Sequence, residues 1–142
     1  MTLVCRDLSE ISIYAKVSNP IFRLLKAFTP GAYTFILQAT REVPKKMLHP
    51  SRRTLGLRVP DNQIALSLLE CLEEPIMSTT LILPEANFPL CEPEAIRDIL
   101  GSQVDLIIDG GHCGHEPTTV VDLTDELPKI LRHGKGDITP FE

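Results

Sequence analysis

Hydroxyl and guanidinium side chains recur near the ends of the predicted β-strands in this chain. Both groups donate hydrogen bonds to carboxylate and phosphate, so they are typical of anion sites. The six side chains are Thr34, Arg58, Ser78, Thr80, Thr118 and Arg132. If the strands form an open sheet, all six converge on one concave face, and the pattern predicts a site for a small anion there. The alternative is a set of strand ends that simply face water.

The strands that must position these groups alternate with helices in the first two thirds of the chain and cluster at its end. Short apolar runs bounded by Gly, Pro and Asp predict strands at Thr2–Cys5, Tyr33–Ala39, Thr54–Val59, Ile76–Thr80, Val104–Asp109, Thr118–Leu123 and from Lys129 onward. Capping residues and helical spacing predict helices from Asp7 to Lys16, from Ser18 to Pro30, from Pro60 to Leu72 and over Pro93–Leu100, with one turn at 44–48. This order favours an α/β fold with an open mixed sheet.

Length and composition describe one ordinary soluble domain. The 142 residues are 43% hydrophobic and 23% charged, and no apolar run approaches the ~20 residues of a membrane helix. The N-terminus lacks the basic and apolar pattern of a signal peptide, so a cytoplasmic protein is expected. The four scattered cysteines have no CxxC spacing, and we expect reduced thiols, two or three of them packed in the interior.

Positive charge is concentrated between Arg41 and Arg58, although the net charge of the chain is −5. The cations of this stretch are Arg41, Lys45, Lys46, Arg52, Arg53 and Arg58, against the single acid Glu42. A local basic patch on an acidic protein suits a small polyanion, or RNA contacted on one face. A solvated face with no ligand is the other interpretation of Lys45, Lys46, Arg52 and Arg53.

The glycine loop after Asp109 contains two further motifs. Gly110, Gly111 and Gly114 do not form a dinucleotide site, because Pro117 and a β-rich run follow where that fingerprint requires a helix. The run His112-Cys113-x-His115 has metal-ligand residue types but no second ligand cluster, so an exposed loop is favoured over a metal site. A serine nucleophile at Ser78 lacks a recognisable partner base.

Six ordered blocks of the chain resemble the YrdC/YciO-like family, in particular its YciO branch. They are Pro-Gly-Ala-Tyr-Thr-Phe-Ile-Leu (30–37), Gly-Leu-Arg-Val-Pro-Asp-Asn (56–62), Glu-Glu-Pro-Ile-Met-Ser-Thr-Thr (73–80), Val-Asp-Leu-Ile-Ile-Asp-Gly-Gly (104–111), Pro-Thr-Thr-Val-Val-Asp-Leu (117–123) and Leu-Arg-His-Gly-Lys-Gly (131–136). The resemblance implies a twisted open mixed sheet with flanking helices, of the YrdC/RibB-like kind. Residues 1–142 would then be a single, N-terminally shortened YrdC-like domain.

The active members of that family are L-threonylcarbamoyladenylate synthases. They are nucleotidyltransferases that combine ATP, L-threonine and bicarbonate, with Mg²⁺, into threonylcarbamoyl-AMP and pyrophosphate for tRNA modification. Carried over by position, the resemblance makes Thr34, Thr80 and Arg132 contacts to ATP, and Ser78 and Thr118 contacts to threonine; Arg58 is added to the ATP set from its place in the sequence. Some members were described as double-stranded RNA binders, so a non-catalytic nucleotide- or RNA-binding module is the alternative function.

Three departures from the family pattern bear on activity. Ile82 stands where active members have an asparagine, and Gln38 stands where a basic residue is frequent. The resemblance also begins after the family's N-terminal part, which supplies the first strands, a threonine-binding threonine and a Lys-x-Arg pair. We therefore expect little synthase activity and a tendency to self-associate in the short form.

Overall fold

The computed structural model describes all residues from 1 to 142, and they form two compact units. The first unit contains residues 1–79 and 117–142, and the second contains residues 80–116. The strands are β1 (Thr2–Val4), β2 (Tyr33–Gln38), β3 (Thr54–Arg58), β4 (Ile76–Ser78), β5 (Thr119–Asp122) and β6 (Lys129–Arg132). The helices are α1 (Leu8–Tyr14), α2 (Asn19–Phe28), α3 (Gln63–Leu72) and α4 (Pro93–Leu100), with 3₁₀ turns at Lys45–Met47 and Thr139–Phe141.

The first unit is built on a six-stranded mixed sheet with the order β4-β1-β3-β2-β5-β6. Strand β1 is parallel to β3 and β2 is parallel to β5, while β4, β6 and the β2–β3 pair are antiparallel to their neighbours. This confirms the predicted α/β class and the open mixed sheet. None of the four helices is long and apolar enough to span a bilayer.

Local sequence explains where the helices of the first unit begin. The Asp7 carboxylate accepts a hydrogen bond from the Glu10 N–H at 2.8 Å, and the Ser18 hydroxyl caps α2, which has Pro20 in its first turn. These caps satisfy N–H groups that have no partner inside the helix. The expected cap of α3 at Pro60-Asp61 is wrong by one residue, because Asn62 accepts from the Ala65 N–H and the helix begins at Gln63.

The core lies on one side of the sheet, where α1 and α2 pack. Alternate residues of the central strands, including Phe35, Leu57 and Val121, have no exposed surface, and Ile11 of α1 and Leu25 of α2 are equally buried. Because successive side chains of a strand point to opposite faces, burying this set leaves the intervening residues on the other face. Burial of large apolar side chains contributes roughly 1.5–3 kcal/mol each.

The second unit contains α4 and otherwise irregular chain. The predicted strand at Val104–Asp109 is therefore wrong: these residues form no strand, and Leu106 is 76% exposed. A strand requires a neighbouring strand to accept and donate its ladder hydrogen bonds, and this segment pairs with none. The predicted strand at 76–80 is also shorter than expected, since β4 ends at Ser78.

Candidate functional site

Sheet register places five of the six predicted anion-binding side chains, together with Thr2, on the face opposite α1 and α2. Val120 pairs with both Thr34 and Arg132, and Thr2 pairs with both Gly56 and Ser78. Paired residues and residues two apart on a strand share a face. The side chains on β2, β5 and β6 therefore lie on the same face as those on β1, β3 and β4, because β2 pairs with β3. We call this the hydroxyl face; its members are Thr2, Thr34, Arg58, Ser78, Thr118 and Arg132.

Thr34, Thr118 and Arg132 make direct contact on the hydroxyl face. The hydroxyls of Thr34 and Thr118 lie 2.7 Å apart and share a hydrogen bond. The Arg132 guanidinium donates from Nε and Nη2 to the Thr118 carbonyl oxygen at 3.0 and 2.8 Å, and from Nη2 to the Thr118 hydroxyl at 3.1 Å. These bonds use Nε and Nη2, so Nη1 is left to meet a ligand. The arrangement therefore presents oriented donors beside a fixed positive charge.

The turn after β6 fixes the position of Thr118. The Lys135 N–H donates to the Pro117 carbonyl at 2.9 Å, and the fully buried Thr119 hydroxyl accepts from the Gly134 N–H and donates to the Gly136 carbonyl. A Cβ at position 134 would lie 2.5 Å from the Thr118 carbonyl carbon, so only glycine allows this approach. Neither Thr119 nor Gly134 was among the predicted site residues, although the Gly-Lys-Gly motif was an available signal.

Arg58 is the second cation of the hydroxyl face, and its environment is unusual. Its side chain is half-buried at the end of β3, and burial lowers the pKa of its guanidinium. Its Nε is buried without any hydrogen-bond partner, and no carboxylate forms an ion pair with it. An unpaired buried donor on a cation is costly unless an anionic ligand completes it.

Ser78 and Thr80 differ in their placement although they are two residues apart. The Ser78 hydroxyl donates to the Thr2 carbonyl at 3.2 Å, at the edge of the hydroxyl face. Thr80 lies beyond the end of β4, in the second unit, where it is exposed and its carbonyl accepts a hydrogen bond from the Ile82 N–H. The expectation that Thr80 ends a strand is therefore wrong, and its role toward ATP stays a prediction.

The predicted RNA patch is a separate region of the first unit. Lys45, Lys46, Arg52 and Arg53 are exposed on the connection between β2 and β3, together with Arg41, and none of them forms an ion pair. We call residues 39–53 the basic loop. Because it joins the end of β2 to the start of β3, it lies at the opposite end of these strands from Thr34 and Arg58.

The glycine loop of the second unit has no helix at its last glycine; residues 110–116 are irregular, and Gly111 and Gly114 have φ angles of 84° and 78°. His112, Cys113 and His115 lie there. The structure contains no group of three or more His, Cys, Asp or Glu side chains placed to hold a metal ion.

The chain is similar to proteins of known sequence and structure over almost its whole length. The sequence model of the Sua5/YciO/YrdC family, described as "Telomere recombination", matches residues 1–134. The crystal structure of Escherichia coli YciO, a protein described as uncharacterized, superimposes with a TM-score of 0.94 at 56% identity, covering 99% of this chain and 68% of that one.

More distant matches have a named activity or ligand. A threonylcarbamoyl-AMP synthase of Pyrococcus abyssi is 34% identical over 128 residues, covering 88% of this chain and 37% of that protein. The crystal structure of P. abyssi Sua5 complexed with L-threonine superimposes with a TM-score of 0.83 at 27% identity, covering 94% and 39% of the two chains. The fold, the ordered sequence blocks and these matches agree: the chain belongs to the Sua5/YciO/YrdC family, and YciO is among its near relatives.

Proposed function

We propose that the hydroxyl face binds ATP and L-threonine, and that the chain is a YciO-branch member of the family of L-threonylcarbamoyladenylate synthases. Thr34, Arg58 and Arg132 are assigned to ATP, Ser78 and Thr118 to L-threonine, and Thr80 to ATP from the resemblance alone. The observation that carries the proposal is the unpaired, buried Nε of Arg58 on the same sheet face as the Thr118–Arg132 contact. Both features favour an anionic ligand.

Charge and geometry on this face fit the chemistry of the reaction. The threonine amine attacks the carbon of bicarbonate, and one bicarbonate oxygen leaves as water with a proton from the amine, which gives a carbamate. A carbamate oxygen then attacks the α-phosphorus of ATP and expels pyrophosphate. Every partner except the amine is anionic, so a protein assists by aligning them and by opposing their repulsion with cations. The guanidiniums of Arg58 and Arg132 are suited to that work, and the threonine hydroxyls orient the substrates.

Mg²⁺, which the family resemblance implies, fits this face only as a companion of ATP. The hydroxyl face offers hydroxyls and guanidiniums rather than a group of carboxylates, and no cluster of three acidic or imidazole ligands exists. Mg²⁺ is commonly bound through substrate phosphates, with water completing its shell. When bound, it would neutralise phosphate charge, and the residues of this chain would contact the nucleotide around it.

We expect weak synthase activity from the 142-residue chain by itself. Two cations are available on the hydroxyl face, and Ile82 offers no donor where active family members have an asparagine amide. Binding of ATP and synthesis are therefore separate questions. The test is to titrate ATP, with and without Mg²⁺ and L-threonine, by calorimetry, and to measure pyrophosphate release that requires both threonine and bicarbonate.

Saturable ATP binding that L-threonine strengthens supports the proposal, whatever the rate of pyrophosphate release. Release at a rate typical of enzymes, ~1–10³ s⁻¹, contradicts the expected weakness but not the site. No ATP binding at millimolar concentration in a folded sample removes the hydroxyl face as a nucleotide site.

A second function, binding of duplex RNA, rests on a different observation. The basic loop exposes Arg41, Lys45, Lys46, Arg52 and Arg53 without any ion pair. Clustered exposed cations bind a phosphate backbone mainly by releasing counterions, so affinity falls steeply with salt. Titration of an RNA duplex at two salt concentrations tests this function. RNA binding by the basic loop would be independent of ATP binding, because the hydroxyl face lies at the other end of β2 and β3.

A further inference from the structure

Two thiols and two imidazoles come together in the second unit, in a place that the proposed function does not use. Cys91 lies just before α4 and is 3% exposed, whereas Cys113 lies in the glycine loop and is exposed. His112 and His115 flank Cys113, and their rings are 5.3 Å apart. The chain has four free cysteines, and this is the place where an exposed thiol lies beside a buried one.

The contacts between these side chains are specific. The Cys113 thiol donates to the Cys91 carbonyl oxygen at 3.5 Å, while the Cys91 thiol donates to the Gly114 carbonyl at 2.6 Å and lies 3.5 Å from Nδ1 of His115. Burial, and then a hydrogen bond with the Cys113 side chain, raise the pKa of the Cys91 thiol. Cys113 therefore contacts Cys91 directly, although no bond joins the two sulfurs in this structure.

A disulfide requires the two sulfurs to approach bonding distance, about 2.05 Å. A Cβ at either Gly111 or Gly114 would meet nothing within 4 Å, so open space lies beside the loop backbone near Cys113 and the loop has room to shift. We propose that Cys91 and Cys113 form a reversible intramolecular disulfide when the chain meets a low-molecular-weight disulfide of the glutathione type.

The exchange balances in two steps. The Cys113 thiol loses its proton to water, and the thiolate attacks one sulfur of the small disulfide, forming a mixed disulfide and releasing one small thiolate. The Cys91 thiol then gives its proton to Nδ1 of His115 and attacks the Cys113 sulfur, which breaks the mixed disulfide and releases the second small thiolate. The two released thiolates take up the protons that Cys113 gave to water and Cys91 gave to His115, so two protein thiols are oxidised and one small disulfide is reduced to two thiols.

The roles of the two cysteines follow from their surroundings. Cys113 is the exposed thiol and meets the oxidant first, since access and thiolate character govern attack. Cys91 is protected and acts as the resolving thiol, because its raised pKa keeps it protonated until His115 accepts the proton. The imidazole of His115 acts as the base of the second step, and His115→Gln should slow closure of the mixed disulfide without preventing the first step.

The chain offers a matched control in Cys71. Cys71 is exposed, as Cys113 is, but lies on α3 of the first unit, and trypsin leaves it in the same peptide, residues 59–97, as Cys91. The Cys71→Ser chain therefore carries three thiols, and a crosslink between peptides 59–97 and 98–129 in that chain joins Cys91 to Cys113. Cys113→Ser removes one partner at an exposed position, where folding is expected to be unaffected.

The experiment treats metal-free, reduced protein with oxidised glutathione, quenches with acid, counts thiols in denaturant and maps peptides by mass spectrometry. We expect the Cys71→Ser chain to fall from three thiols to one and to recover three with dithiothreitol, and the 59–97 and 98–129 peptides to be linked. In Cys113→Ser the crosslink should be lost. Crosslinks between chains, crosslinks through Cys5, glutathione retained on Cys113 without closure, or three thiols that survive the treatment would each overturn the proposal.

Discussion

The hydroxyl face and the basic loop both attract anions, yet the structure builds them in opposite ways. On the hydroxyl face, Thr118 is held between the Thr34 hydroxyl and the Arg132 guanidinium by bonds of 2.7–3.1 Å, and Arg58 is half-buried. On the basic loop, every cation is exposed and unpaired. The first region combines a half-buried cation, Arg58, with an exposed cation, Arg132, that hydrogen bonds hold in place, while the second is a set of unpaired, solvated charges.

This difference determines which ligand each region can select. A charge that has lost part of its water interacts more strongly with an anion, and its donors need not be ordered at the moment of binding. Exposed lysines and arginines are screened by salt and lose side-chain entropy on pairing, so each contributes little alone. The hydroxyl face therefore suits a compact ligand with several oxygens, and the basic loop suits a long polyanion that many weak contacts can hold.

Replacing Arg58 is expected to have the largest effect on ligand binding. Arg58→Met removes a half-buried cation that would pair with phosphate, and loss of such a partner costs roughly 2–5 kcal/mol of affinity. The same change removes an unpaired buried Nε, so the melting temperature of the ligand-free protein should stay equal or rise. Calorimetry with ATP and thermal melting measure the two effects. Unchanged ATP affinity in Arg58→Met would exclude Arg58 from the site, and Arg58→Lys should recover only part of the binding.

Arg132→Ala comes next and compares an organised arginine with a solvated one. We expect ATP affinity to fall by about 1.5–3 kcal/mol, the range for a hydrogen bond to a charged group. Arg52→Ala, in the basic loop, is the matched control and should leave ATP affinity unchanged. The result counts only if Arg132→Ala melts like the parent, because Arg132 also bonds the Thr118 carbonyl. Equal effects of the two substitutions would remove the distinction between the regions.

Gly134→Ala tests whether the turn after β6 really positions Thr118. The new Cβ would lie 2.5 Å from the Thr118 carbonyl oxygen, so the turn or β5 must shift. Forced overpacking of this kind costs about 1–3 kcal/mol of stability. Lys135→Ala in the same turn keeps its backbone bond to Pro117 and should change stability by less than about 0.5 kcal/mol. Denaturant unfolding compares them, and equal stabilities would show that the turn adapts freely.

Much of this site was predictable from sequence because strand ends are marked by local chemistry. Tyr33–Gln38, Thr54–Arg58 and Thr119–Asp122 are runs of β-forming residues between glycines, prolines and polar turns. Once the strands and their pairing are known, alternation assigns Thr34 and Arg58 to a shared face, whereas Arg132 reaches that face through the register shift between β5 and β6 at Val120/Val121, which the sequence does not mark. The structure places five of the six side chains on one face of the sheet, and the roles of all six in binding remain proposals.

The wrong predictions concern segments whose structure depends on a neighbouring strand or side chain that the sequence does not reveal. Val104–Asp109 has the apolar pattern of a buried strand, but a strand exists only beside another strand, and none pairs with it. The same reason applies to Thr80: the pairing of β4 with β1 ends at Ser78, so Thr80 has no strand to pair with. The sequence could not predict that the Arg58 Nε has no hydrogen-bond partner, because this depends on which residues of other elements lie beside it in the folded chain.

The hydrogen bond between Thr34 and Thr118 allows a finer test of preorganisation. Thr34→Val and Thr118→Val should each cost about 0.5–1.5 kcal/mol of stability, and the double variant should cost less than their sum because the bond at 2.7 Å is lost only once. Urea unfolding of the four proteins gives the coupling energy. Strict additivity would mean that the two hydroxyls act independently and that the hydroxyl face is less organised than we infer.

Neutralising the basic loop should change stability least and salt-dependent binding most. In the variant Lys45→Gln, Lys46→Gln, Arg52→Gln and Arg53→Gln, unfolding free energy should move by less than about 0.5 kcal/mol, because the four side chains are exposed and make no ion pairs. ATP binding should be unaffected, since the hydroxyl face lies at the other end of β2 and β3.

If the loop binds duplex RNA, the affinity of the variant for RNA should drop. The dependence of that affinity on salt should also flatten, by a slope of roughly 0.9 for each phosphate that the loop no longer neutralises. If RNA affinity and its salt slope are unchanged in this variant, the basic loop is a solvated surface that does not bind RNA. The hydroxyl face would then be the only one of the two regions that binds an anion.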